Sequence, residues 1–144
     1  MILNILVIDG MGGGLGKAII EKIKDHVFDN DILAVGTNSY ATSTMLKAGA
    51  TFGATGENAI LFNCGKADII IGAIGILIAN SMLGEISPQI ALAVSASAAE
   101  KIIISVPQCN VSIAGLPEAS LGQYLDDLPL LLKKEILKKT KNRL

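Results

Sequence analysis

Apolar side chains come along this chain in short runs separated by amphipathic stretches, and that rhythm predicts the elements. Asn4 to Ile8 is almost continuously apolar, the pattern of a strand covered on both faces. Beyond a loop, Leu15, Ala18, Ile19, Ile23 and Val27 recur at helical spacing, with Lys17, Glu21, Lys24 and Asp25 on other faces. Ile32 to Val35, closed by Gly36, reads as a second strand. Ser39 is placed to cap a helix through Ala48 that Gly49 ends, and Thr55 to cap another from Gly56 to Asn63. A third strand runs from Ile69 to Ala73, after which Ser87 and Pro88 supply the cap and first position of a helix. "KIIISVP" predicts a fourth strand stopped at Pro107 and "NVSIAG" a short fifth. A last helix is expected from Ser120 to Lys139, kinked or broken at Pro129.

Strands alternating with helices, without repeat or linker, predict one three-layer Rossmann-like α/β domain over residues 1–144, with a mainly parallel sheet of five strands. The expected strand order is 2-1-3-4-5, or 3-2-1-4-5 if Ala50 to Gly53 is a further strand. Either way the first strand borders the point where the winding reverses, the place where such sheets bind ligands.

Composition narrows the partners. The chain is 51% hydrophobic but only 3% aromatic, so its core must be built from Ile, Leu, Val and Ala. Twelve basic against thirteen acidic residues remove the bulk attraction that nucleic acid requires. The cationic run from Lys133 to Arg143 reads as a solvated helix end that complements the helix dipole. The apolar stretch Ile69 to Ala79 falls short of the roughly 20 residues that span a bilayer. The start carries no basic leader, and Cys64 and Cys109 lack metal-ligand spacing. A cytoplasmic chain with reduced thiols is therefore expected, with no nucleic-acid or membrane partner. Between Ile69 and Ala99 the only charge is Glu85, which predicts burial against another subunit in a homodimer or tetramer.

The candidate chemistry lies in "VIDGMGGGLGKAI", residues 7–19. Amides unobstructed by Cβ atoms, at the start of a helix, form an anion site, and Gly10, Gly12, Gly13, Gly14 and Gly16, with Leu15, meet that need. The Walker A string fails, because Met11 stands at its first glycine and Ala18 at its hydroxyl. The spacing that fits is G-x-x-x-G-x-G on Gly10, Gly14 and Gly16. It resembles the cofactor loop of the short-chain dehydrogenases, which bind NAD or NADP on a Rossmann fold. Their catalytic Tyr-x-x-x-Lys has no counterpart, since Tyr40 is followed four places on by Thr44 and Tyr124 by Leu128. Taken whole, through "VIDGMGGGLGKAI", "ATFGATGENAI", "KADIIIGAIGILIANSMLGEISP" and "CNVSIAGL", the chain resembles a family of small bacterial Rossmann-like proteins of unassigned function. That resemblance implies the fold and no reaction.

Around the loop, Thr37 and Asn38 stand where an acid normally receives the adenine ribose, so NADP or a mononucleotide suits the site better than NAD. Ala73 and Gly75, in "GAIG", are expected on the opposite wall. Asp9 is expected to bond the loop amides, and Cys109 to be a structural thiol. The expected function is nucleotide or dinucleotide binding, with NADP or another nucleotide as cofactor and the reaction open. The alternative is a non-catalytic oligomeric module whose glycine loop binds nothing, and a third reading is phosphate chemistry through Lys17.

Overall fold

The computed structural model describes residues 2–143, Gln108 by its backbone alone. Its elements follow in the order β1 (Asn4–Asp9), α1 (Gly14–Ile23), β2 (Asp31–Gly36), α2 (Ser39–Ala48), β3 (Phe52–Thr55), α3 (Glu57–Cys64), β4 (Ile69–Ala73), α4 (Pro88–Ala96), β5 (Glu100–Ile104) and α5 (Leu121–Asn142). Single 3₁₀ turns follow β4 at Ile74–Leu77 and β5 at Pro107–Cys109. All five strands are parallel, in the order β3-β2-β1-β4-β5.

Alternation along the strands divides the core into two layers. Ile5 and Val7 of β1, Ile69 and Ile71 of β4, and Ile102 and Ile104 of β5 meet α1, α2 and α5 on one face. Leu6 and Ile8, Val35 and Ile70 meet α3 and α4 on the other. Strands buried on both faces require nearly continuous aliphatic runs, which is why the periodicity of β1 and β4 is so plain in the sequence. The fold is thus a three-layer, Rossmann-like α/β sheet. The winding reverses between β1 and β4, and the loops that leave their carboxyl ends diverge to opposite faces.

Several expectations need correction. The sheet takes the second of the two expected orders, 3-2-1-4-5, and not 2-1-3-4-5, because a strand does lie after α2, at Phe52–Thr55 and not at Ala50 to Gly53, pairing at the edge with β2 from Leu33 with Phe52 through Gly36 with Thr55. "NVSIAG" forms no strand; its residues are exposed loop, and β5 already closes the sheet at the far edge. The cap of α2 is Asn38, whose side chain accepts from the Ala41 N–H, and not Ser39. Gly56 precedes α3, while Thr55 ends β3 with its hydroxyl 2.7 Å from that of Thr42. The first helix stops at Ile23 and does not reach Val27, so His26 lies exposed beyond it. The last helix runs unbroken through Pro129; Leu125, Leu128, Leu132 and Ile136, buried on both sides of the proline, hold it against the sheet. Ser120 opens that helix with a capping box completed by Gln123.

Candidate functional site

A cleft of about 760 Å³ opens over the carboxyl ends of β1 and β4, within the size range of small-molecule sites. Its walls are the glycine loop from Asp9 to Leu15, Ala73 and Gly75 after β4, the segment Ile78 to Leu83, and Val106, Cys109, Asn110 and Leu121 from the β5 side. Of the residues expected at the site, Gly10, Gly12, Gly13, Gly14, Leu15, Ala73 and Gly75 are therefore brought together, whereas Gly16, Thr37 and Asn38 are not in the wall.

Asp9 organises the loop. It is buried at the end of β1, and its two carboxylate oxygens accept from the N–H of Gly10 at 2.8 Å and of Gly16 at 2.7 Å. These bonds turn the chain from strand into helix over seven residues. Burial raises the Asp9 pKa above the ordinary carboxylate value; the two amide bonds oppose that rise and the Glu85 charge adds to it.

The loop's glycines divide into two kinds. A Cβ on Gly10 would lie 2.7 Å from Thr37 Oγ1 and 3.0 Å from Met82 Sδ. On Gly16 it would meet Met45 Sδ at 2.5 Å, and on Gly13, whose φ is +75°, the backbone of Ala41 at 2.9 Å. Those three are bare because the protein packs against them. Gly14, by contrast, has nothing within 4 Å of such a Cβ, and Gly12 only the edge of Tyr40 at 3.7 Å. The N–H groups of Gly12, Gly14 and Leu15 have no acceptor among the described residues, while that of Gly13 turns back to the Gly10 carbonyl and that of Gly16 to Asp9. Gly14 and Leu15 open α1, where the helix dipole favours an anion.

Glu85, beside the glycine loop, is the residue of this region that sequence reasoning did not place there. One carboxylate oxygen, Oε1, accepts from Thr37 Oγ1 at 2.6 Å, Asn38 Nδ2 at 2.7 Å and the Met11 N–H at 3.1 Å. Thr37 and Asn38 are thereby engaged by the protein itself. The hydrogen bond from Thr37, with help from Asn38 and the Met11 amide, holds the Glu85 pKa below its usual value against the opposing effect of burial. Its partners stand 47 to 74 residues away in sequence. The one available signal was its standing as the single charge in a long apolar stretch.

The segment that carries Glu85 is tightly folded. Asn80 N–H donates to the Ile86 carbonyl at 2.7 Å, Ile86 N–H to Ser81 at 3.2 Å, and the Ser81 hydroxyl to the Gly75 carbonyl. Met11, Asn80, Met82, Leu83 and Asn110 have positive φ although none is glycine, and all five line the cleft. Backbone held in this region costs energy, and such residues gather at binding sites.

Cys109 is half-buried in the cleft wall near Ser81, whereas Cys64 is buried and its thiol is pushed up to about 11, chiefly by desolvation. Glu57 accepts from the Ser87 hydroxyl. Lys17 is exposed on α1, 3.9 Å from Glu21, outside the cleft wall. The apolar stretch from Ile69 to Ala99 is mostly absorbed by the domain's own core, with Leu83 and Leu92 its exposed large side chains.

Fold and cleft together define a doubly wound, parallel α/β protein with a glycine-loop hollow at its switch point. Residues 4–137 match the family described as a domain of unknown function, DUF3842, and the chain belongs to that family. Neither a curated protein nor a solved structure matches it. No helix among the described residues is long and apolar enough to cross a membrane.

Proposed function

We propose that this protein binds a phosphate-bearing small molecule of the nucleotide class in the cleft at the ends of β1 and β4, with the phosphate on the amides of Gly12, Gly14 and Leu15. The observation that carries this reading is the bareness of Gly12 and Gly14. A tight turn needs Gly13, and packing needs Gly10 and Gly16, but no protein contact needs the other two, and the amides there lack acceptors. A module whose loop served only as a turn would leave this unexplained. Phosphate hydrolysis through Lys17 lacks support, because that ammonium stands outside the wall.

The test is a thermal-shift screen with NAD(H), NADP(H), ATP, GTP, FMN and S-adenosylmethionine. A ligand present at a hundred times its Kd adds about 2.7 kcal/mol, which raises Tm by roughly 5–10 °C for a chain of this size. Gly14→Val places a side chain in open space, so the variant keeps its melting point and loses that shift. No shift with any ligand, together with a concentration-dependent Tm, supports the oligomeric module instead. Self-association is proposed on the exposed Phe52, at the β3 edge, and Phe62 on α3, and light scattering tests it: a monomer at micromolar concentration refutes it.

A further inference from the structure

The cleft stops at β1. In dinucleotide-binding sheets of this strand order, one nucleotide half crosses the first glycine to reach an acceptor at the end of β2. Here that path is filled. Gly10 is covered by Met82 and Glu85, and the Thr37 hydroxyl and the Asn38 Nδ2 group both donate to a single Glu85 oxygen that arrives from the β4 side, while Asn38 Oδ1 caps α2. The wall of the cleft accordingly contains no β2-end residue, and it extends instead toward Val106 and Leu121.

The charge of the wall points the same way. It contains no Lys or Arg, and its one carboxylate, Asp9, is already bonded to loop amides. Three free amides and a helix dipole suit one phosphate. A second phosphate would find no cation in the wall, and its way past Gly10 is closed by Met82 and Glu85. The remaining wall is largely apolar, through Ala73, Ile78, Val106 and Leu121, and fits a flat or apolar body attached to that phosphate.

From this we infer that Glu85 is a specificity residue, a built-in plug over the β2 half of the crevice, which restricts the site to single-phosphate mononucleotides and excludes dinucleotides. This rests on the nucleotide reading above and names its ligand class. Affinities for AMP, FMN, NADH and NADPH would be measured by calorimetry on the wild type, Glu85→Gln and Glu85→Ala. The amide of Glu85→Gln can still accept from Thr37 and the Met11 amide, so this variant keeps the wild-type preference. Expected for both is binding of AMP or FMN at least tenfold tighter than either dinucleotide, a gap that shrinks at least tenfold in Glu85→Ala. A merely structural role for Glu85 would weaken all four ligands together. The inference is overturned if the wild type binds NADH or NADPH as tightly as the mononucleotides, or if Glu85→Ala leaves the gap intact; the nucleotide reading survives either result. If none of the four binds any of the three proteins the inference falls, and the nucleotide reading falls with it where the wider panel above also gives no shift.

Discussion

Replacing Asp9 by alanine removes the acceptor of two buried loop amides at once. The Gly10 and Gly16 N–H groups lose bonds of 2.8 and 2.7 Å, and leaving a buried donor unpaired costs about 1–3 kcal/mol. Against that stands a gain: burial already raises the Asp9 pKa, so the ionised carboxylate is itself costly, and its removal relieves part of the loss. The net destabilisation is about 2–4 kcal/mol, or roughly 1–2 M in the urea midpoint for a typical slope. Asp9→Asn keeps the shape and one acceptor oxygen and loses about half as much. Urea unfolding followed by circular dichroism reads both. An Asp9→Ala variant within about 0.5 kcal/mol of wild type would refute the reasoning, because cleft water would then satisfy the loop amides as well as the carboxylate does.

The other predictions concern the loop glycines and pH. Gly13→Ala loses about 2–3 kcal/mol, from its positive φ and a 2.9 Å clash with the Ala41 backbone, whereas Gly14→Ala loses nothing measurable in the same urea titration. Glu85 has a folded pKa below its unfolded one, so its contribution is complete above the ordinary glutamate range and vanishes as pH falls through the lowered value. Asp9 has the opposite sign: its raised folded pKa means that its burial cost disappears as it takes a proton. Wild type minus Glu85→Gln stability should therefore shrink below about pH 4, and the Asp9 carboxyl, followed by carbon NMR, should titrate at lower pH in Glu85→Gln, which removes a charge that raises it.

Local pattern and tertiary pairing contributed differently. The sequence by itself determined the parallel α/β class, the aliphatic strands β1, β2 and β4, the cap of α4, the glycine loop and the bonding role of Asp9. Each of these is written in neighbouring residues, as a doubly buried aliphatic run, an amphipathic period, or a carboxylate beside the amides it accepts from. Only tertiary structure decided the rest. β3 is four largely exposed residues with no period of their own; it exists because β2 offers a ladder and because Gly53 admits Leu46 to within 2.8 Å of where a Cβ would stand. Pro129 sits inside a continuous helix because leucines on both sides of it are anchored on the sheet. Glu85 is the sharpest case, since three donors from distant parts of the chain meet its oxygen only after β1, β2 and β4 lie side by side, and a contact made by closure of the sheet leaves no spacing in the sequence to read.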